Sequence, residues 1–580
     1  MKKRIIQTFI LITCCFLFVL ANQQSTKAAE KKYGDYTYEV SKGSVTITQY
    51  VGKATKLTIP SKIAGKKVTK IGQYAFTTKR TLKQVVIPST VTVIGDYAFE
   101  HCTNLTKVTM KGNTKKIGFG AFYQCTKLAS VNIPKTVTTI GAEAFYNCKS
   151  LKAITLNEGL KTIGADAFVN CSSLISIKIP STVTNLTEDQ SFPFMQETVA
   201  YYKNPFAGCR NLKVITVATG NKKYKAEYGV LSTKDGSRIL TFSVGKKIKN
   251  FTIAEGVKIV AKDAIISNNT INKIVIPSTV TYFGSNTYHC YALKNIVVNS
   301  NNSVYVSQDG ALYSKDMTEF CAYPMTLTGS YTVPSTVTFI DSYAFRGSKL
   351  TTIVIPDSVT DMGYEVLACT KNLKNLQLSS KVEIYTEDTL YNSGIEKIVI
   401  PEGIETMEAN FSRGCNKLKE VVFPSTFQYF YDDGDDVYAM RLFQNCPKLS
   451  KITVAANSKY LYSKDGVLYA YNGNYMDLLV YYPAAKTGTT YTVNQSVRVG
   501  KSAFDGVKYL KKLIFKKPVS LFVIDPFVDC NNLVIDLHKD SDINCDIRVF
   551  SKCKNCYFLV AKNSTAYKCV KAMKAPYKLK

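Results

Sequence analysis

The side chains best suited to covalent or metal chemistry are cysteine and histidine, and the chain has 17 of the first and three of the second. Three histidines leave little room for imidazole catalysis or for a histidine-rich metal site. Cys553 and Cys556 have the C-x-x-C spacing of half a zinc site. However, the interval from Cys530 to Cys553 is the same as that from Leu533 to Cys556, and it recurs along the chain. We therefore interpret both as positions of a structural repeat.

The remaining motifs also fail to predict an enzyme. Gly118-Phe119-Gly120 resembles a phosphate-binding loop, but it lacks the strand–loop–helix context and the later acidic partner. Neither a Gly-x-Ser-x-Gly nor a His-Glu-x-x-His motif occurs in the sequence. We predict no catalytic residue, no metal and no cofactor, and we interpret the three histidines as surface or turn residues: His101, His289 and His538.

An acidic cluster surrounds Gly434, and its spacing does not fit the calcium-binding loop of an EF-hand. A solvated loop is the interpretation that we favour, with a weak calcium site as the alternative. The aspartates are Asp432, Asp433, Asp435 and Asp436.

The cysteines recur at one position of the repeat, since Cys102, Cys125, Cys148 and Cys171 are evenly spaced. Neighbouring turns of a stack lie about 4.8 Å apart with parallel side chains, whereas a disulfide needs converging Cβ atoms. We predict buried thiols that act as small apolar fillers. Disulfides are the alternative, because an exported chain encounters oxidising conditions.

The composition indicates a folded and strongly basic protein. The chain has 580 residues, 46% of them hydrophobic and 20% charged, which excludes a disordered chain. There are 74 Lys and Arg against 43 Asp and Glu, a net charge of +31. Such a field favours acidic partners.

The N-terminal segment has the pattern of a secretory signal peptide. Basic residues at 2–4 precede an apolar run from Ile5 to Ala21, and small residues follow. We predict cleavage after Ala28, with cleavage after Ala21 or an uncleaved anchor as alternatives. No later apolar run is long enough to span a membrane, so we expect no membrane span after cleavage.

A regular period organises the rest of the chain. The phrase LKQVVIPSTVTVIGDYAFEHC from Leu82 to Cys102 returns as LASVNIPKTVTTIGAEAFYNC from Leu128 to Cys148. Repetition at an interval of about 23 residues is typical of a solenoid. Leu82, Val85 and Ile87 are predicted to point inward from a short strand, and Pro88 is predicted to end it. We count sixteen turns between Phe76 and Phe550.

This phrase resembles the BspA-like leucine-rich repeats of bacterial and protozoan surface proteins. The Leu-x-x-Val-x-Ile-Pro, Ile-Gly-x-x-Ala-Phe and Cys positions carry the resemblance, over residues 57–556. It implies a right-handed leucine-rich-repeat solenoid of the α/β type, rich in strands, with turns of about 23 residues and β-hairpin insertions. It also implies a secreted or cell-surface location and adhesion, with no catalytic residues.

The domain organisation follows from the repeat. Residues 1–28 are the predicted signal peptide, 29–56 an N-terminal β cap, 57–556 the solenoid and 557–580 a C-terminal cap. Longer intervals between repeats predict insertions near residues 187–202, 221–252, 300–332, 431–440 and 457–490. Asp-Gly pairs in three of them predict hairpins hung on one edge of the solenoid.

The outward strand positions predict the binding surface. Counting the opening Leu or Ile as first, the third and fifth positions face solvent. The fifth is β-branched in most turns, and the third carries lysine in several. Stacked, these lysines form a predicted basic stripe of Lys107, Lys273, Lys397, Lys451 and Lys512. The alternative is a solvated sheet in which lysine prevents edge pairing.

We therefore predict an exported, adhesin-like and monomeric binding protein. Its partner would be a host or cell-surface protein, a glycoprotein or an anionic polymer, with no specific nucleic acid. A second hypothesis is an envelope-associated structural protein held to anionic cell-wall polymers by charge, and a third is a hydrolase that uses the insertions. Release from the cell envelope by salt alone would favour the second.

Overall fold

The computed structural model describes residues 29–186, 204–243, 248–266, 268–284, 287–431, 442–471, 476–521, 525–543 and 549–580. The predicted signal peptide, the insertion near 187–202, the acidic cluster at 432–436 and nearly all of the insertion near 431–440 lie outside these residues. The chain divides into two compact units. The first comprises residues up to Lys246 together with Ala261–Ala264, and the second comprises Lys247–Val260 and Ile265–Lys580.

The first unit contains eighteen described strands. In chain order they are β1 (Lys31–Tyr33), β2 (Tyr36–Ser41), β3 (Ser44–Tyr50), β4 (Lys56–Thr58), β5 (Lys62–Ile63), β6 (Lys66–Ile71), β7 (Gln84–Ile87), β8 (Val93–Ile94), β9 (Lys107–Met110), β10 (Lys116–Ile117), β11 (Ser130–Val131), β12 (Thr139–Ile140), β13 (Thr162–Ile163), β14 (Ser176–Ile179), β15 (Val214–Val217), β16 (Tyr224–Glu227), β17 (Val230–Thr233) and β18 (Arg238–Phe242).

The second unit continues the numbering. Its first strands are β19 (Asn250–Thr252), β20 (Ile259–Val260), β21 (Lys273–Ile276), β22 (Tyr282–Phe283), β23 (Asn295–Val298), β24 (Tyr305–Gln308), β25 (Ala311–Ser314), β26 (Glu319–Ala322), β27 (Thr328–Thr332), β28 (Phe339–Ile340), β29 (Lys349–Val354), β30 (Asp361–Met362), β31 (Asn375–Gln377), β32 (Lys397–Val399), β33 (Thr406–Glu408) and β34 (Glu420–Phe423). They are followed by β35 (Tyr429–Tyr431), β36 (Lys451–Val454), β37 (Leu461–Lys464), β38 (Val467–Ala470), β39 (Asp477–Tyr481), β40 (Thr490–Val493), β41 (Val497–Val499), β42 (Lys512–Phe515), β43 (Val519–Leu521), β44 (Phe527–Val528), β45 (Val534–Asp536), β46 (Asp542–Ile543), β47 (Phe550–Ser551), β48 (Tyr557–Val560), helix α1 (Thr565–Ala572) and β49 (Tyr577–Leu579).

Each regular turn contributes one strand to each of two parallel sheets. In the first unit the first sheet has the order β11-β9-β7-β4. The second sheet stacks β6, β8, β10, β12 and β13, with β3 before them and β1 and β2 added in antiparallel pairing. The predicted inward residues Leu82, Val85 and Ile87 are buried, and Val86 is partly exposed. Period-two alternation therefore sets which side chains reach solvent.

The interior is a column of aromatic rings. Consecutive rings stack with centroids 4.8–5.7 Å apart. The column in the first unit consists of Phe76, Phe99, Phe122, Phe145, Phe168 and Phe206. One turn alone cannot bury such a ring, so neighbouring turns must stack on it.

Gly95 is required by a close approach of two backbone segments and not by a left-handed conformation. Its φ is not left-handed, and a Cβ on it would lie 2.7 Å from the carbonyl oxygen of Ile71. Glycine is needed here because the backbone of the preceding turn approaches too closely for any side chain.

The three hairpins are present, and the second and third also pair in parallel with strands of the stack in their own unit. Each is an antiparallel meander, made by β16–β18, β24–β26 and β37–β39. β26 then pairs in parallel with β28, and β39 pairs in parallel with β41. An insertion therefore supplies a turn of its own, which accounts for part of the difference between the sixteen turns counted in the sequence and the roughly 21 turns of the solenoid.

The fold is richer in strand than the α/β label implies. Within the described residues α1 is the one α-helix, and helix accounts for 2% of the structure. Ser564 caps it by accepting a hydrogen bond from the Tyr567 amide. In an α/β repeat one side of each solenoid turn is a helix. Here that side consists of short hydrogen-bonded backbone turns. Among the described residues, no helix combines the length and apolar character needed to cross a bilayer.

Candidate binding surfaces

The outward side chains of the first sheets form straight rows because the parallel strands pair in register. In the first unit one row contains Lys56, Gln84, Lys107 and Ser130, and the next contains Thr58, Val86 and Thr109. Lys56 and Lys107 are exposed, and within the described residues neither forms an ion pair with a carboxylate. They are two rungs apart, about 9.5 Å at the usual strand spacing.

In the second unit the structure brings two stripe lysines together around an acid. Lys397, Glu420 and Lys451 form one row across β32, β34 and β36. The Lys397 Nζ lies 3.1 Å from one Glu420 carboxylate oxygen, and the Lys451 Nζ lies 3.5 Å from the other. The hydrogen bond from Lys397, followed by the charges of both lysines, lowers the pKa of Glu420 below its usual value. Part of the predicted positive charge is therefore neutralised locally.

The other two stripe lysines of this unit lie on separate sheets. Lys273 stands between Asn250 and Asn295 in its row. The Lys512 Nζ lies 3.4 Å from the Asp536 carboxylate, which also accepts a 2.7 Å hydrogen bond from Lys580. The five predicted lysines thus belong to four different sheets.

A second basic row was not predicted. It lies on the second sheet of the first unit, where Lys70 and Lys116 are two rungs apart with Val93 between them. Lys115 and Lys161 lie at the entrances to the same ladder. All four side chains are exposed, and no ion pair to a carboxylate holds them within the described residues. The sequence signal is lysine one or two residues before the Ile-Gly pair, and we call these four residues the lysine ladder.

The charge of the first unit is strongly segregated. Residues 29–186 contain 22 Lys and Arg against 8 Asp and Glu, a net charge of +14. The loops from Gly to Cys at 95–102, 118–125, 141–148 and 164–171 carry no Lys or Arg at all. They hold four of the eight acids: Asp96, Glu100, Glu143 and Asp166.

Aromatic side chains cover the outside of these loops. The Tyr74 and Tyr97 rings are parallel with centroids 5.2 Å apart, and Phe119 meets Tyr97 edge-on at 5.1 Å. Tyr123 and Tyr146 stack at 5.0 Å. A Cβ on Gly120 would lie 2.5 Å from the Tyr97 ring, so glycine makes room for it. We call these five aromatic residues the aromatic edge.

The hairpin tips offer further exposed groups. At each tip a left-handed residue precedes a left-handed glycine, as the two-residue turns of twisted hairpins require. The left-handed residue is Asp309 in one hairpin and Asp465 in another, but Tyr228 in the first. The Asp235-Gly236 pair forms the second turn of the same meander, between the antiparallel strands β17 and β18. Tyr228 is 81% exposed.

The cysteines do more than fill space. In the first unit each thiol donates a hydrogen bond of 3.1–3.3 Å to a Phe carbonyl oxygen of the adjacent turn. The donors are Cys102, Cys125, Cys148, Cys171 and Cys209. All 14 cysteines within the described residues are free thiols. Burial raises the pKa of Cys102 and of Cys209 to about 12, so these thiols stay neutral donors.

The C-x-x-C pair follows the repeat as well. The Cys553 thiol donates to the Phe527 carbonyl oxygen at 3.5 Å, the contact that a repeat cysteine makes. The Cys556 thiol donates to the Cys530 carbonyl oxygen at 3.6 Å. No group of three or more potential metal ligands is found among the described residues.

Comparison with known families gives one match. The model of the BspA type leucine-rich repeat region, in six copies, matches residues 69–197, 239–328, 318–434 and 486–573. These ranges cover more than half of the chain and include most of the turns described above. No curated protein matches the chain.

Several solved structures also match the chain. A leucine-rich cell surface protein from Faecalibacterium prausnitzii is 23% identical, with 74% of this chain and 96% of that chain covered and a TM-score of 0.37. The pneumococcal vaccine antigen PcpA is 17% identical, with 85% and 100% covered and a TM-score of 0.34. A leucine-rich repeat protein from Bacteroides ovatus is 20% identical, with 73% and 94% covered and a TM-score of 0.33.

Proposed function

Because the chain belongs to the BspA-type leucine-rich repeat family, we propose that it is an exported, adhesin-like binding protein of a bacterial surface. Its partner is an acidic macromolecule of a host or of another cell, such as an acidic glycoprotein or an anionic polymer. The basic and apolar N-terminal segment supports export. Repeat scaffolds of this kind bind through extended surfaces.

The observation that carries the proposal is the row that contains Lys56 and Lys107. These lysines are exposed, lie about 9.5 Å apart, and have only neutral residues on the rungs beside them, Gln84 and Ser130. The surrounding segment, residues 29–186, has a net charge of +14. A linear polyanion laid along these strands would meet two lysines, on β4 and on β9.

The other stripe lysines provide a matched control. Lys397 and Lys451 also lie two rungs apart, but they share Glu420 between them. An incoming anion would have to compete with that carboxylate. We therefore assign the stronger anion binding to Lys56 and Lys107.

The test measures binding of the purified protein to heparin, used as a sulfated probe, at several salt concentrations. Lys56→Gln with Lys107→Gln should lower the affinity about tenfold near 100 mM salt and reduce the slope of log K against log salt by about two. Lys397→Gln with Lys451→Gln should change the affinity less than about threefold, because exposed ion pairs already occupy those charges. Equal losses in the two double variants, or no loss in either, would exclude this row as the site.

A further inference from the structure

We propose that the aromatic edge of one copy of this chain binds the lysine ladder of a second copy. The two surfaces belong to the same unit but to different sides of each turn: the loop from Gly to Cys, and the second sheet. This self-association goes beyond the proposed anion binding, which uses the first sheet.

The aromatic edge has the chemistry of a surface for lysine side chains. Tyr74 is 44% exposed although its ring is large and apolar. Asp96 and Glu100 lie on either side of Tyr97 in a loop without lysine or arginine, and the His101 ring lies 3.8 Å from the Glu100 carboxylate. Lysine stems pack along apolar surface while their ammonium groups stay at the polar rim. Tyrosine hydroxyls and carboxylates at that rim accept hydrogen bonds from an ammonium group.

The lysine ladder has the complementary chemistry and the same repeat. Lys70 and Lys116 are two rungs apart on the second sheet. In the loops, the backbone N–H of Tyr97 donates to the Phe119 carbonyl oxygen at 2.7 Å, and that of Gly120 donates to the Ala142 carbonyl oxygen at 2.9 Å. The loops therefore stack with the same spacing as the strands. Asp96 and Glu143 lie in loops that are two rungs apart. Charges of opposite sign thus recur at one interval, about 9.5 Å.

The arrangement selects a second copy in one orientation. Edge against edge would place carboxylates against carboxylates, and ladder against ladder would place lysines against lysines. Only the unlike pair is attractive, so the edge of one copy meets the ladder of the other. The contact gives a closed dimer where both halves of two copies meet at once, and open chains where each copy binds a new neighbour. Each exposed ion pair is weak, but several in register with buried tyrosine surface reinforce one another. The association should weaken steeply with salt.

Two double variants separate the halves of the contact. Asp96→Asn with Glu100→Gln alters the edge, and the new amide side chain would keep a carbonyl oxygen for the Phe119 amide, which now donates to Asp96 at 2.9 Å. Lys70→Gln with Lys116→Gln alters the ladder. Two double variants with the same charge changes serve as matched controls: Glu30→Gln with Glu39→Gln, and Lys31→Gln with Lys32→Gln. They lie in the N-terminal meander or, for Glu30, directly before it.

The experiment is analytical ultracentrifugation at about 50 mM and 500 mM salt, a range over which the screening length falls severalfold. The parent protein and both controls should exceed the mass of one chain at low salt and return to it at high salt. Each altered variant alone should stay monomeric. Mixed in equal amounts, the two should form a 1:1 dimer and nothing larger, since one intact edge meets one intact ladder.

Three results would overturn the proposal: a parent protein that is monomeric at low salt, altered variants that still associate alone, or a mixture that stays monomeric. Tyr74→Ser adds a test that leaves the charge unchanged, and it should weaken the parent association by removing exposed ring surface. Heparin binding by the edge variant should equal that of the parent. Failure of self-association is therefore distinguishable from failure of the proposed function.

Discussion

Individual residues in the Gly-to-Cys loops adopt the left-handed backbone conformation, although most of them are not glycine. Two positions in each of five successive turns have φ between +52° and +58°. The residues are Tyr74, Tyr97, Gly120, Glu143 and Asp166 at the first position, and Thr78, His101, Gln124, Asn147 and Asn170 at the second. The left-handed region costs most L-residues about 1–2 kcal/mol, and Asn tolerates it best after Gly. Hydrogen bonds between neighbouring turns offset this conformational cost. The backbone N–H of Gln124, for example, donates to the Tyr146 carbonyl oxygen at 2.8 Å.

Gln124→Asn should therefore stabilise the protein, by about 1 kcal/mol, because it places in this turn the residue that already occupies the next two. Asn147→Gln is the matched reverse change and should destabilise by a similar amount. Chemical denaturation followed by circular dichroism measures both. The same sign for the two variants would contradict the conformational explanation.

At the scale of elements, the hairpins are fastened by a buried side chain. The side-chain NH2 of Asn302 donates to the Pro277 and Val280 carbonyl oxygens at 2.7 and 2.9 Å. Its side-chain oxygen accepts from the backbone N–H groups of Val304 and Tyr305. Asn221 makes the same four contacts before the first hairpin. Before the third hairpin, Ser458 accepts from the Leu461 amide at 3.3 Å. The first two hairpins are thus tied to the preceding turn immediately before their first strands, whereas the Ser458 contact is local to the third.

Asn302→Ala should loosen the second hairpin selectively. It leaves two buried carbonyl oxygens and two amides without their partner, a cost of about 3 kcal/mol. Amide hydrogen exchange should accelerate across β24 and β25 and remain unchanged in the hairpin of β37 to β39. The control is Asn301→Ala, at the exposed neighbouring position. Equal acceleration in both variants would show that the amide contacts do not fasten the hairpin.

The repeat made most of the element pattern predictable. Alternation in Leu82–Ile87 placed each side chain correctly, and Asp309-Gly310 marked a true hairpin tip. The Lys397–Glu420–Lys451 row also follows from sequence, since Glu420 holds the same third position between two lysines. The thiol hydrogen bonds do not follow from it. Whether a cysteine only fills space or also donates depends on where the carbonyl of the adjacent turn points.

At the scale of the whole molecule, net charge is a poor guide to where anions bind. The net charge of +31 includes two different kinds of lysine row. In the row of Glu420 the lysines are already paired with a carboxylate, and in the row of Lys107 they are not. The same net charge gives no sign of the Gly-to-Cys loops of the first unit, which carry acidic and aromatic side chains and no Lys or Arg. The order of charges along each sheet, and not the total charge, therefore decides where an anion can bind.

The way in which stability is distributed can be tested at the same scale. In a stack each turn contacts only its neighbours, so a local defect should spread a limited distance. The Phe122 ring lies between Phe99, at 5.3 Å, and Phe145, at 5.4 Å, and it is fully buried. Phe122→Ala should cost about 3–5 kcal/mol through lost transfer energy and the cavity left behind.

Hydrogen exchange after Phe122→Ala should accelerate most in β8, β10 and β12, the second-sheet strands of the affected turn and its two neighbours. The effect should fade towards β2 at one end of the first unit and β15 at the other. Phe119→Ala, three residues away on the partly exposed aromatic edge, serves as the control and should cost no more than about 1 kcal/mol, because little buried surface is lost. Uniform acceleration from β2 to β15 after Phe122→Ala would mean that the unit unfolds as a single cooperative body, and the nearest-neighbour account of its stability would then be wrong.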